Sequence, residues 1–193
     1  MTVGRQWAIV GGVVATLGLG LFVATQMMGD QLFPVEQGSK APDFRAKVLG
    51  EQRYKTLADY KGKVVLLNIW ATYCEPCKWE MPSLQRLHQA YGDKGLKIVA
   101  VSVDQFVGED SIRAFAKQYG ITFEILHDST NAIERQYQAT GYPETFVLDS
   151  EGTIRKKWIG PDDWSSRGNR ALIAQLLGLE TPRVVSDTSA SSR

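Results

Sequence analysis

Histidine and cysteine are scarce in this chain of 193 residues, with two of each, and charge is almost balanced at 22 basic against 21 acidic residues. Each scarcity excludes something. A formal net charge of +1 with mixed signs leaves no electrostatic footprint for nucleic acid, which is not expected as a partner. His88 and His127 lie outside any close ligand spacing, so a zinc site would lack two of its four ligands and no metal is expected. Lys78, not histidine, follows Cys77, so the pair is no haem-attachment motif. No cysteine stands between the apolar N-terminus and the domain, which excludes a lipid-modified N-terminus, and no internal repeat is visible.

Charge is missing altogether from Trp7 to Met28, a stretch rich in Val, Leu, Ile, Ala and Gly. At about 1.5 Å per helical residue it is long enough to cross a hydrocarbon core of about 30 Å. Arg5 precedes it and Asp30 and Glu36 follow, which predicts a cytoplasmic N-terminus and a translocated C-terminal domain. The run exceeds the usual signal-peptide core, and Phe22-Val23-Ala24 is a poor small-x-small cleavage site, which favours an uncleaved signal anchor over a cleaved signal peptide. The expected organisation is a cytoplasmic N-terminus over 1–6, a transmembrane anchor over 7–28, a tether over 29–40, one domain over 41–179 and a flexible tail over 180–193.

Within the domain, Asp43 to Leu49 and Arg53 to Thr56 read as a hairpin around Gly50. Val64 to Ile69 is an almost uninterrupted aliphatic run, which predicts a central strand covered on both faces. Met81, Leu84, Leu87 and Tyr91 carry helical spacing up to Gly92 and Gly95. Leu96 to Val103 is the next strand, Ile112 to Tyr119 a helix, Phe123 to Leu126 a third strand and Ile133 to Tyr137 a short helix. Thr145 to Leu148 and Thr153 to Trp158 flank a turn at Ser150-Glu151-Gly152, and Ala171 to Leu177 belongs to a last helix. The alternation predicts an α/β sheet with helices on both faces. Arg155-Lys156-Lys157 reads as a solvated strand edge.

The two cysteines are Cys74 and Cys77, placed where the central strand runs into a helix. A thiol at a helix start meets backbone N–H groups without intrahelical partners and the positive end of the helix dipole, both of which favour thiolate. Cys74 is therefore the expected nucleophile, and Cys77, about one turn on, the group that resolves a mixed disulfide. A staple closing so short a loop would constrain little of the unfolded chain, which argues against a purely structural disulfide. Pro76 fits the first helical turn at no cost in hydrogen bonds, and Glu75 is expected to disfavour the Cys74 thiolate by like-charge repulsion, making the dithiol a better reductant.

Trp70, Cys74, Cys77 and Pro82 resemble the thioredoxin pattern, and Tyr142-Pro143-Glu144-Thr145-Phe146 resembles its late proline loop, held in the cis form against the cysteine pair. Ala41-Pro42-Asp43-Phe44, Asp59-Tyr60-Lys61-Gly62-Lys63 and the N-terminal anchor narrow the likeness to membrane-anchored thiol-disulfide oxidoreductases of the ResA/TlpA/CcmG type. The likeness runs from about Ala41 to Leu177. It implies a thioredoxin fold with a central mixed sheet, an added N-terminal β-hairpin and a preceding transmembrane helix. It also implies no cofactor beyond a redox-active Cys74–Cys77 disulfide, and a single-pass protein of a bacterial cytoplasmic membrane with its domain outside. By the same likeness the activity is reduction of an exported disulfide, foremost the haem-site disulfide of apocytochrome c. The electron donor would be a membrane thiol-transfer protein of the DsbD/CcdA kind. A thiol peroxidase of related fold and a non-catalytic tethered binding module are the alternatives.

Asn68 departs from cytoplasmic thioredoxins, which carry a buried aspartate at the matching position, and an amide cannot take up and return a proton. Two carboxylates are expected to serve instead: Glu80, one turn after Cys77, and Glu144, next to Pro143, each partly buried with a raised pKa. Pro143, Tyr142 and Tyr73 are the expected substrate contacts, the substrate docking as an added strand. Trp70 is expected to pack in the core with a polar handle.

Overall fold

The computed structural model describes residues 3–32 and 34–179 and divides between Val35 and Glu36 into two units. In the first, the helix α1 spans Val3–Leu32 and so covers the segment in which an anchor is expected. Its described side chains, Val10, Leu17 and Leu21 among them, are exposed. Thr16 donates its hydroxyl back to the carbonyls of Gly12 and Val13, so that polar group is satisfied inside the helix. Among the described residues no helix is long and apolar enough to cross a membrane, so the fold does not establish the expected span. The expected tail over 180–193 lies outside the described residues.

The second unit is built on one seven-stranded sheet. The strands are β1 (Arg45–Val48), β2 (Tyr54–Thr56), β3 (Val64–Trp70), β4 (Leu96–Ser102), β5 (Glu124–His127), β6 (Glu144–Leu148) and β7 (Ile154–Ile159), ordered β2-β1-β5-β4-β3-β6-β7. β3 is buried at every position, the outcome its aliphatic run predicts for a strand covered on both faces. It pairs in parallel with β4 and antiparallel with β6. β5 lies parallel to β4, while β1, β2 and β7 add antiparallel edges, giving the mixed sheet and N-terminal hairpin that were expected. Four helices complete the unit: α2 (Glu75–Tyr91), α3 (Glu109–Gln118), α4 (Ala132–Gln136) and α5 (Arg167–Leu176). Met81, Leu84 and Leu87 form the buried stripe of α2. After α2, Gly95 takes φ 108°, a left-handed conformation that turns the chain into β4.

Two details differ from the sequence reading. Gly38 donates to the Ile154 carbonyl and Ile154 to that of Ser39, so this end of the expected tether is hydrogen-bonded to the start of β7. Nor is the basic run on β7 merely solvated. Arg155 pairs with Asp149, Lys156 with Asp162 and Lys157 with Glu144. Their carboxylate partners come from β6 and from the segments flanking β7, placements that a linear charge pattern does not reveal.

Candidate active site

Burial drives β3 straight into the core, and the chain emerges at its far end as Ala71-Thr72-Tyr73 before α2 begins. Asp104, itself buried, holds that link. Its carboxylate accepts from the Thr72 N–H at 2.9 Å, the Thr72 hydroxyl at 2.7 Å and the Ser102 hydroxyl at 2.7 Å. The link leading into Cys74 is thereby anchored to the chain just past the end of β4, the strand beside β3.

Cys74 is the N-cap of α2 and Pro76 lies in the first turn. The Cys74 sulfur accepts the Cys77 backbone N–H at 3.2 Å, one of the donors a helix start leaves without a partner. The two cysteines are joined as a disulfide. Cys74 retains 8% exposure and Cys77 none. An incoming nucleophile or target therefore meets Cys74 first, and the N–H that caps its sulfur would stabilise the thiolate once the disulfide opens. Glu75 is salt-bridged to Lys78 at 2.7 Å on the exposed side of the helix, so an ammonium offsets the repulsion expected of it.

Glu80 is buried one turn beyond Cys77. One oxygen accepts from the Asn68 side-chain amide at 2.7 Å and the other from the Trp164 indole N–H at 3.0 Å. Burial, with a smaller push from the Asp162 charge, raises its pKa to about 7 against the downward pull of those two hydrogen bonds and one from the Asp162 backbone. Asn68 in turn donates to the Thr145 hydroxyl at 2.8 Å. The Ser83 hydroxyl, which accepts the Trp164 backbone N–H at 3.1 Å, ties the same segment to α2. A carboxyl that titrates near neutrality, one turn from a buried thiol and held by neutral donors, is equipped to take and return that thiol's proton.

Glu144 is buried, but in a different setting. It is the first residue of β6, opposite Ile69 of β3 and Ile159 of β7. One oxygen accepts the Thr140 N–H at 2.9 Å and the other lies 3.2 Å from the Lys157 ammonium. The two glutamates expected to act alike are thus a neutral-donor carboxyl and an ion-paired one. Before β6 the Tyr142–Pro143 bond is cis. The Tyr142 hydroxyl donates to Glu134, while the Pro143 carbonyl accepts from Gly160 at 2.8 Å. Tyr73, 67% exposed, stands beside the cysteines, whereas Trp70 is wholly buried against Phe115 with ring centroids 4.6 Å apart. Among the described residues the Trp70 indole N–H has no hydrogen-bond partner, so the polar handle expected of it is not used there.

Asp104, Thr145 and Trp164 were not singled out from the sequence. Asp104 follows the β4 pattern and Trp164 a proline-acid turn. For Trp164 the only signal was that buried tryptophan N–H groups usually find an acceptor, a tendency Trp70 does not follow, and nothing linear connects Trp164 to Glu80. Among the described residues no group of acidic, histidine or cysteine side chains could hold a metal ion. A concavity of about 470 Å³, floored by Val65 and Leu148, lies at the opposite end of β3 from the disulfide.

An accessible sulfur at a helix start, a buried partner sulfur and a nearby carboxyl on a thioredoxin-like sheet define a thiol-disulfide oxidoreductase. Comparison with known proteins agrees. The model of the AhpC/TSA family matches residues 37–157, and the chain belongs to that family. It is 42% identical over 127 residues to thioredoxin-like protein YneN of Bacillus subtilis (strain 168), covering 65% of this chain and 73% of that one. It is 37% identical over 139 residues to thiol-disulfide oxidoreductase ResA of Oceanobacillus iheyensis, covering 70% and 71%. A solved structure assigned as thiol:disulfide interchange protein DsbE from Chlorobium tepidum aligns with a TM-score of 0.67 at 28% identity, over 74% of this chain and 99% of the other.

Proposed function

We propose that this protein is an extracytoplasmic disulfide reductase, tethered to the bacterial cytoplasmic membrane by α1, that reduces the haem-site disulfide of apocytochrome c. The observation that carries the exchange chemistry is the asymmetry of the pair, with Cys74 retaining 8% exposure at the helix start and Cys77 none. In the reduced protein the Cys74 thiolate attacks one sulfur of the target disulfide, and the other target sulfur leaves with the bonding electrons as a thiolate. Cys77 then gives its proton to Glu80 and attacks Cys74. The Cys74–Cys77 bond forms, the mixed disulfide breaks and the target departs with both sulfurs reduced. A membrane thiol-transfer protein of the DsbD/CcdA kind returns two electrons to the pair. Pro143, Tyr142 and Tyr73 form the peptide-docking edge, and Glu144 contributes through its ion pair with Lys157 rather than as a free base.

The tether reading rests on the uncharged run from Trp7 to Met28, on its helical backbone and on the internally satisfied Thr16 hydroxyl. The choice of apocytochrome c rests on the ResA-named relatives. Trapping with Cys77→Ala in cells tests both, because the target stays linked to Cys74. The expected outcome is an apocytochrome adduct in the membrane fraction; recovery of many unrelated secreted proteins with no apocytochrome would overturn the dedicated role. A peroxide-consumption assay separates the peroxidase alternative, and full function of a Cys74→Ala, Cys77→Ala double variant would instead support a binding module.

A further inference from the structure

Glu80 is reached from two sides of α2. At about 100° per helical residue it projects roughly 60° around the axis from Cys77, whereas Trp79, Ser83 and Arg86 project roughly 120–180° from Cys77. Those three side chains, with Glu80, Pro161, Asp162 and Asp163, line a cleft of about 340 Å³ between α2 and the segment leading to α5. The cleft therefore opens on the flank of α2 turned away from the resolving sulfur, with Glu80 between the two. Trp164 fixes that position. It is wholly buried, its indole donates to Glu80, its backbone N–H is held by Ser83, and the Lys156 ammonium lies 4.8 Å from its ring centroid.

A docked substrate covers Cys74, so a proton taken from Cys77 needs an exit that the substrate does not block. We propose that Trp164 is a positioning residue that holds Glu80 between Cys77 and this cleft, and that the cleft carries the proton to solvent while substrate occupies the dithiol. The inference rests on the exchange reading above and adds its proton route. In the resolving step the Cys77 sulfur bonds to Cys74 as the Cys74–substrate bond breaks. The substrate sulfur leaves as thiolate with that bond's electron pair, and the Cys77 proton goes to the Glu80 carboxylate and out through the cleft. The charges around this route are Asp162 and Asp163 on the α5 side, Arg86 on α2 and Lys156 on β7; β3 and β6 present the neutral Asn68 and Thr145.

Rapid-quench mass spectrometry of the reduced full-length protein mixed with oxidised glutathione separates attack by Cys74 from resolution by Cys77. Failure of the attack phase would overturn the exchange reading itself; the resolution phase tests the inference. Placing the benzothienyl isostere of tryptophan at position 164 keeps the volume and deletes the N–H. The acid limb of the resolution profile should move up by about one pH unit, because the carboxylate loses a donor. In a Glu80→Gln background the same replacement should move nothing. Arg86→Trp fills the cleft from a half-exposed position and should slow resolution about threefold or more with attack unchanged. An acid limb that stays put, or that moves equally without Glu80, overturns the positioning role. Resolution at the wild-type rate in Arg86→Trp overturns the cleft as the route.

Discussion

Replacing Glu80 with glutamine should make the stability of the oxidised protein less dependent on pH, by an amount that follows from burial. The carboxyl has a pKa near 4.5 when unfolded and about 7 when folded. Between those values the folded state binds more protons than the unfolded state, so folding stability falls as pH rises through the window. The penalty is absent below about pH 4.5 and complete above about pH 7. At about 1.4 kcal/mol per pH unit it amounts to roughly 3 kcal/mol. Glutamine resembles the protonated acid in shape and charge and does not titrate. The stability of Glu80→Gln relative to wild type should therefore rise by roughly 3 kcal/mol between pH 4.5 and pH 8. Urea unfolding of the disulfide-intact proteins at several pH values measures this without interference from thiol titration. Parallel stability curves, separated by a constant amount across the range, would refute the argument that Glu80 is held against its charge by burial.

Lys157→Met removes the ammonium from buried Glu144 and should destabilise the fold by about 3 kcal/mol or more, read as a lowered urea midpoint, because the charge left behind is uncompensated. Glu75→Gly should make the reduction potential less negative by only about 15 mV or less, since the Lys78 ammonium already offsets the exposed carboxylate; equilibration with glutathione buffers measures it, and a more negative value would sink the repulsion argument. Asp104→Asn leaves the Thr72 donors with a weaker acceptor and should cost about 1–2 kcal/mol of stability while slowing Cys74 alkylation, checked by urea unfolding and iodoacetamide kinetics.

What the sequence discloses depends on the range of the interaction. β3 follows from an uninterrupted aliphatic run, and the buried stripe Met81, Leu84 and Leu87 from helical spacing, because both patterns are local. The Cys74 cap is legible for the same reason: the sulfur and the N–H that meets it are three residues apart. Trp164 reaches Glu80 across 84 positions, and Asp104 reaches Thr72 across 32, so no periodicity records either contact. β7 is an edge strand with Arg155 exposed, as its basic run predicts, but the Lys157–Glu144 pair is set by antiparallel register and not by composition.

The same long-range contacts give the two buried glutamates different partners. Glu144 is faced by the Lys157 ammonium at 3.2 Å, an ion pair in a largely buried setting. Glu80 accepts from an uncharged amide and an uncharged indole, and the Asp162 charge nearby favours its protonated form. The amide at position 68 matters here more than its inability to titrate suggests: an aspartate in its place would set a second acid beside Glu80 and couple the two titrations. With asparagine, Asn68 donates to Glu80 and does not titrate, so on the proposed reading the acid-base work behind Cys77 falls to a single carboxyl on α2. An Asn68→Asp variant should therefore split the single acid limb of the resolution profile into two steps, one below and one above the wild-type value; a profile that keeps one unshifted limb would show that positions 68 and 80 do not share the proton.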